Sequence, residues 1–398
     1  MQAENSFPQV RRAQSQMKTF LRILEEYPQD TPLSKFLPVF FRANKQMGSS
    51  DRRVASSLIY NYFRLGKAVS HLAAEDRLLI AELLCSSQAS SFLEALKPEY
   101  NAPATMSIKE KIGFLKSVGI ELKLEEVYPF YKHLSAGINK DKFLESMFIQ
   151  PDLFIRIHPG KEKLVKSKLT DAEVVFIEEN PNTLRLANGT KLEPIFQGLP
   201  SAFEVQDLSS QQAGELFKPN KWDYWWDACA ASGGKSLLLH HQEPTVKLLV
   251  SDVRESILEN LDERFRNAGI HKYQKKLIDL LQNPDPVLHD FAFDGIILDV
   301  PCSGSGTWGR SPEMISQFKE GRIQSFQNLQ RSIIQNVVKY LKPEKPLIYI
   351  TCSAFKEENE DNVAFLQSEF GFQLEEQRVL KGFEHKADTM FAARLVKG

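Results

Sequence analysis

Along the first third of the chain, apolar residues return every three or four positions. The pattern is clear over 14–27 and again over 54–66, where Val54, Leu58, Ile59, Tyr62 and Phe63 mark one helical face. Asp51 stands just before the second run and is its expected N-cap. LLIAELLC (78–85) adds another apolar helix, and few strand signals intervene, so residues 1–125 are expected to form an all-α bundle. Over 126–200 the period changes. PDLFIRIHP (151–159), VVFIEE (174–179) and TLRLAN (183–188) read as short strands, with GKEKLVKSKL (160–169) as a helix, which predicts a small α+β unit. From 201 to 398 the two periods alternate regularly. DYWWDACA, VKLLVSDV, FDGIILDV, PLIYITCS and MFAARLVKG read as strands, and 254–268, 320–341 and NVAFLQSEF as helices. This order predicts an α/β domain on a doubly wound, mostly parallel sheet, with its ligand crevice at the carboxyl ends of the strands.

Composition narrows the reading. A chain of 398 residues suggests two or three domains, and 42% hydrophobic with 25% charged residues suits packed cores better than disorder. A net charge of -1 excludes a uniformly basic nucleic-acid binder, but local patches remain open. The first fifty residues lean basic (Arg11, Arg12, Lys18, Arg22, Lys35, Arg42, Lys45), as does 161–168 (Lys161, Lys163, Lys166, Lys168); a solvated face is the plainer reading of either run. The four cysteines, Cys85, Cys229, Cys302 and Cys352, form no C-x-x-C pair, which argues against zinc and for a reducing compartment. MQAENSFPQV carries no apolar signal region, and no stretch approaches the roughly 18 apolar residues of a membrane span. A cytoplasmic protein with no membrane partner is expected.

Four segments can carry chemistry. DACAASGGKS (227–236) links a strand to a helix through Gly233 and Gly234, which permit close backbone approach to a ligand; alone it also suits a tight connection without one. It lacks the G-x-x-x-x-G-K spacing of a phosphate loop and the G-x-G-x-x-G of a Rossmann oxidoreductase. Asp252 ends the next strand, where a carboxylate can accept hydrogen bonds from ribose hydroxyls or cap the following helix. Asp279 in KKLIDLL lies roughly one strand later, at a position suited to an adenine edge. LDVPCSGSGTWGRSPE (298–313) puts Asp299 and Cys302 at a strand's carboxyl end, and YITCSAFKEENEDN (349–362) puts Thr351, Cys352 and Ser353 at another. A lone cysteine is more often a small buried residue. Two at the carboxyl ends of two strands of one sheet are far more specific. Glu357, Glu358 and Glu360 read as first-turn acids of the next helix.

Together these segments resemble the RsmB/Sun (Fmu) family of RNA 5-methylcytosine methyltransferases. The family pattern D-x-C-A-A-P-G-G-K resembles Asp227–Lys235, D-[AV]-P-C-S-G-x-G resembles Asp299–Gly306, and T-C-S with a following E-N-E resembles Thr351–Ser353 and Glu358–Glu360. Q-D-x-S-S-Q matches Gln206–Gln211. More loosely, DRRVASSLIYNYFRLG is similar to a NusB-type RNA-binding segment, and FIRIHPGKEKLVKSKL to the small domain before the family's catalytic domain. Ser232 replaces the usual proline of the cofactor turn, KPEKP (342–346) replaces a Gly-Gly, and Trp308 stands where an aliphatic residue is usual, a change expected to alter the target pocket.

The resemblance implies three parts: a NusB-like RNA-binding domain (1–125), a small α+β RNA-binding subdomain (126–200) and a Rossmann-like class I methyltransferase domain (201–398). It implies S-adenosylmethionine as cofactor, held by Cys229, Ala230, Ala231, Ser232, Gly233, Gly234 and Lys235, with Asp252, Asp279 and Asp299. Cytosine carbon-5 is a poor nucleophile until a thiolate adds to carbon-6, which requires a cysteine ionised from its usual pKa of roughly 8.5. By resemblance Cys352 is that nucleophile, Cys302 assists its release, Asp299 faces the N3 edge of the base, and Lys235 orients Asp299 or the substrate. The expected partner is RNA, bound by a monomer, with ribosomal RNA favoured and transfer RNA the main rival. A non-catalytic ribosome assembly factor is the rival from another class.

Overall fold

The computed structural model describes residues 6–199 and 202–398, in two compact units. The first comprises the described residues up to Lys132 together with Asn139–Gln150 and Trp308–Glu320. Its main helices are Ser6–Glu26, Leu33–Ala43, Ser49–Arg64, Ala74–Cys85 and Ile108–Ser117. Their apolar faces bury Phe20, Ile23, Leu58, Ile59, Leu78 and Leu83. The helix expected to be capped by Asp51 starts earlier: Gly48 is its N-cap, and Asp51 lies in its first turn, where its charge favours the positive helix end. Trp308–Glu320, within the span expected for the catalytic domain, supplies this unit's centre. Arg64, fully buried, donates to the carbonyls of Met147 (2.8 Å) and Gly309 (2.8 Å) and to Gln150 Oε1 (2.5 Å). The Leu33 N–H donates to Glu313 Oε1 at 3.0 Å. Trp308 is 1% exposed, its ring 5.0–5.6 Å from those of Tyr128, Phe130 and Phe318. Expected to reshape a target pocket, Trp308 is instead a core residue, because it opens the segment Trp308–Glu320 that packs within this helical unit.

The second unit comprises His133–Ile138, the described residues of Pro151–Thr307, and Gly321–Gly398. Its smaller sheet holds β1 (Leu153–Ile157), β2 (Phe176–Asn180), β3 (Thr183–Leu186) and β4 (Phe203–Val205), antiparallel in the order β2-β3-β1-β4. The helix Glu162–Asp171 closes its core through Val165 and Leu169 against Ile155, Ile157 and Leu184. The larger sheet holds β5 (Tyr224–Asp227), β6 (Lys247–Asp252), β7 (Gln274–Leu277), β8 (Gly295–Asp299), β9 (Pro346–Thr351), β10 (Gln373–Lys381) and β11 (Thr389–Val396), in the order β10-β11-β9-β8-β5-β6-β7. β5 to β9 pair in parallel; β11 runs antiparallel between β9 and β10.

The central strands are apolar between their ends because helices cover both faces. Successive side chains alternate between faces, so Trp226, Leu298 and Tyr349 pack on one side with Ile333 and Val337, while Trp225, Ile297 and Ile350 pack on the other with Leu237 and Leu261. Strand order reverses beside β5, whose neighbours are β6 and β8. The switch point therefore lies at the carboxyl ends of β5 and β8, where Asp227 and Asp299 end their strands.

Candidate functional site

A cavity of about 570 Å³ opens at this switch point. Asp252, Asp279 and Asp299 line it with Cys229, Ala231 and Cys302. The exposed apolar residues Val253 and Leu281 stand at its wall, so a flat ring can lie against carbon while polar groups meet carboxylates. Asp252 accepts the Ala231 N–H at 3.1 Å, the Arg254 N–H at 2.9 Å and the Arg254 guanidinium at 3.0 and 3.2 Å. Burial alone would raise its pKa, but the bonds and charge of Arg254 outweigh it, and the carboxyl sits below its ordinary value. Asp279, just past β7, accepts the Leu281 N–H at 3.0 Å.

The turn after β5 divides its labour. Ala230, Ser232, Gly233, Gly234 and Lys235 do not line the cavity. Gly233 adopts φ +82° and packs beneath the helix Glu255–Asn267; a Cβ there would lie 2.6 Å from Phe265 and 3.0 Å from Leu261. Its missing side chain thus serves the packing of the turn, where sequence suggested close approach to a ligand. Ala230 is buried and donates its N–H to the Ser251 carbonyl. Ser232 is gripped by Arg264, whose Nη1 donates to its carbonyl at 2.8 Å and to its hydroxyl at 2.6 Å. Arg264 also pairs with Glu204 on β4 at 2.5 Å, and Glu204 faces His158 at 3.2 Å. A side-chain clamp therefore stands where a proline would stiffen the chain.

Asp227 is fully buried. Burial lifts its pKa to about 7, even though the Ser236 hydroxyl donates to one oxygen at 2.6 Å. Its other oxygen has no hydrogen-bond partner among the described residues. Cys229 is pushed well above the ordinary thiol range by burial, which makes it a wall of the cavity and not a nucleophile.

The two cysteines expected to work together do converge. Cys302 Sγ and Cys352 Sγ are 3.2 Å apart. The hydrogen bond with Cys352, then burial, holds Cys302 far above the ordinary thiol value. Cys302 thus stays an S–H that faces the Cys352 sulfur. Asp299, which lines the same cavity as Cys302, accepts from Lys235 Nζ at 3.0 Å, and Lys235 also donates to Ser210 Oγ at 2.9 Å.

Sequence reasoning missed what ties the two cysteine loops together. Ser303, Ser305 and Ser353, all buried, place their hydroxyls 3.0–3.2 Å from one another. Glu358, read from sequence as a first-turn surface acid, is 0% exposed and lies outside the helix Glu360–Phe370. It accepts the Ser303 N–H at 2.9 Å, the Gln330 amide at 2.8 Å and the Ser353 hydroxyl at 2.7 Å. Burial raises its pKa. Asn359 accepts the Thr351 hydroxyl at 2.5 Å and donates to the Ser353 carbonyl at 2.9 Å, bracketing Cys352. Gly306 admits no side chain, since a Cβ would lie 1.9 Å from the Thr389 carbonyl. The signal available in sequence was the serine following each cysteine.

Residues 215–396 match the family model for the 16S rRNA methyltransferase RsmB/F. The chain is 36% identical over 178 residues to the ribosomal RNA small subunit methyltransferase B of Shewanella oneidensis, covering 44% of this chain and 40% of that protein. To the protein of that name from Proteus mirabilis it is 27% identical over 263 residues, 65% of this chain and 62% of the relative. The chain thus spans about half the length of the curated relatives it matches. Among solved structures, PH0851 superposes with a TM-score of 0.67 at 21% identity, covering 90% of this chain and 93% of that one. A methyltransferase homolog protein from Pyrococcus horikoshii superposes at 0.57 and 22% identity, covering 72% and 98%. Over residues 215–396, just under half of its length, the chain is therefore similar to the 16S rRNA methyltransferase RsmB/F family.

Proposed function

We propose that the chain transfers a methyl group from S-adenosylmethionine to carbon-5 of a cytosine in RNA, ribosomal RNA of the small subunit being the favoured substrate. The observation that carries this reading is the meeting of two thiols at 3.2 Å, one of which, Cys302, lines the cavity at the switch point together with Asp299, itself paired with Lys235. That cavity fits the cofactor: a carboxylate ends β6 for ribose hydroxyls, Val253 and Leu281 offer apolar walls for a ring, and Asp279 stands at the edge. When bound, the cofactor supplies an electrophilic methyl group.

The chain's own residues prepare the base. Cys352, as thiolate, forms a bond to carbon-6, and the electron pair of the C5–C6 double bond moves to carbon-5, which then accepts the methyl. Asp299, held by Lys235, faces the N3 edge and favours the added state. Loss of the carbon-5 proton to solvent restores the double bond as the carbon–sulfur pair returns to Cys352. The Cys302 S–H faces that departing sulfur and hydrogen-bonds it. The target base must leave its stack, which costs a few kcal/mol when it is paired, so a loop cytosine is the easier substrate. In this reading the region 1–125 and the small subdomain 126–200, with exposed Lys161, Lys163 and Lys168, hold RNA backbone outside the pocket.

The test is methyl transfer from labelled S-adenosylmethionine to unmodified ribosomal and transfer RNA. Cys352→Ala is expected to be inactive, and Cys302→Ala to accumulate a covalent protein–RNA adduct of retarded mobility. Methylation by Cys352→Ala would overturn the assignment of the nucleophile; RNA binding without labelling by the wild type would favour the assembly-factor reading.

A further inference from the structure

A second groove, of about 990 Å³, lies at the opposite end of the larger sheet. Tyr224, Lys247 and Gln274, the first residues of β5, β6 and β7, all line it. It is separated from the cofactor cavity by the length of the strands, roughly 15–20 Å for a strand of four to six residues. Its wall includes Trp222, His240, Lys247, His271, Lys272 and Tyr273, and no aspartate or glutamate among the described residues. Glu243, next to it in sequence, turns its carboxylate onto the Thr245 N–H (3.0 Å) and hydroxyl (2.7 Å).

Trp222 is the distinctive member. The other three tryptophans, Trp225, Trp226 and Trp308, are at most 1% exposed, whereas Trp222 is 68% exposed. Its φ of +67° is a conformation that bulky residues rarely adopt. The Trp222 N–H donates to the Thr245 hydroxyl at 3.0 Å, which fixes the backbone in place. The fold thus holds a large aromatic ring in water beside Lys247, His271 and Lys272, all exposed. An aromatic face flanked by lysines, with no carboxylate among its lining residues and the nearby Asp262 taken up by the Tyr273 hydroxyl and Lys275, suits single-stranded nucleic acid: bases stack on the ring, and phosphates meet the amines.

We propose that this groove is an auxiliary docking site for single-stranded RNA, in which an unpaired base stacks on Trp222 and the adjoining phosphates contact Lys247 and Lys272. The inference rests on the reading of the chain as an RNA methyltransferase and extends it. A substrate that reaches both ends of the sheet is held at the groove while its target cytosine enters the cysteine site. Charge complementarity favours RNA over a protein partner here, in a molecule whose net charge is only -1.

The probe is a twelve-nucleotide oligouridylate, and the readout is intrinsic fluorescence, since Trp222 is the single exposed tryptophan of four. Oligonucleotide is expected to quench the wild type and to leave Trp222→Phe unquenched. The exposed double change Lys247→Ala/Lys272→Ala is expected to weaken binding several-fold and to lower the salt slope by about 1.4, at roughly 0.7 per phosphate contact on single strands. In methyl transfer to long ribosomal RNA, Trp222→Ala is expected to raise KM while leaving kcat and the KM for S-adenosylmethionine unchanged. Absence of quenching, with wild-type KM for long RNA in both variants, would overturn the groove and leave it as a face for a protein. If the wild type methylates no RNA at all, the functional reading itself fails.

Discussion

Glu358 offers the sharpest test of how the two cysteine loops are held. In Glu358→Ala, the Ser303 N–H loses its acceptor in a buried place. The Gln330 amide keeps only the Pro301 carbonyl at 3.1 Å, while the Ser353 hydroxyl can turn to Ser303 or Ser305. One backbone donor stranded outright costs about 1–3 kcal/mol, and a second bond to a charged acceptor adds about 1.5–3. Relief from burying the carboxylate offsets part of this, so a net loss of about 2–4 kcal/mol is expected. Glu358→Gln should lose far less. Its oxygen can take both N–H donors, and its amide can donate to Ser353, which then donates to a neighbouring serine. The comparison also has a sign in pH. The folded-state pKa of Glu358 lies above its unfolded value of 4.5, so the protonated form is favoured by folding. The stabilisation is full below the unfolded value and is lost as pH rises through the folded one. Wild type should therefore gain on Glu358→Gln when pH falls from 7 toward 5. Urea unfolding at several pH values, read on the sheet unit, measures both effects. A Glu358→Ala cost under 1 kcal/mol, or a gap that moves the other way with pH, would refute the reasoning.

Asp227, at about 7 when folded and 3.8 unfolded, should make wild-type stability fall as pH rises from about 4 to about 7, by on the order of 3–4 kcal/mol. Asp227→Asn is expected to flatten that slope in the same unfolding series; an unchanged slope would sink the idea. Lys235→Met removes the ammonium between Asp299 and Ser210, and kcat should drop about 10- to 100-fold, the equivalent of one charge-assisted hydrogen bond. A kcat within twofold of wild type would show that the pair is idle. Arg264→Ala frees Ser232 and should raise KM for S-adenosylmethionine roughly fivefold or more at nearly constant kcat, with partial recovery in Arg264→Lys, whose single ammonium can still reach one acceptor. Equal falls in kcat for both variants would place Arg264 in the chemistry instead.

The parallel core of the fold was readable because β5, β6, β8 and β9 are apolar runs closed by small or polar turns. β10 was not: QLEEQRVLK mixes charges into an exposed edge strand, so its pattern looks like a loop. β4 is three residues long, too short for a period to show. The motifs pointed to Asp299 and Asp252 because each ends a strand, and to Cys302 and Cys352 because each follows closely on a strand's end. They could not show Glu358 inside, since an acid beside Glu357 and Glu360 looks solvated until tertiary packing seals it. Likewise Arg264 sits on a polar helix face, and only the meeting of that helix with β4 and the turn reveals its grip on Ser232.

The three-part make-up of the helical unit has a consequence for the order in which the chain is born. Its last segment, Trp308–Glu320, emerges some 170 residues after Gln150. At about 5–20 residues per second, that is a wait on the order of ten to thirty seconds. During the wait, the guanidinium of Arg64 lacks the Gly309 carbonyl and the Leu33 N–H lacks Glu313. The helices made first are therefore finished only after β5 to β8 have left the ribosome. A fragment cut before Trp308 would carry an incomplete core, with Tyr128 and Phe130 deprived of the ring that fills the space between them.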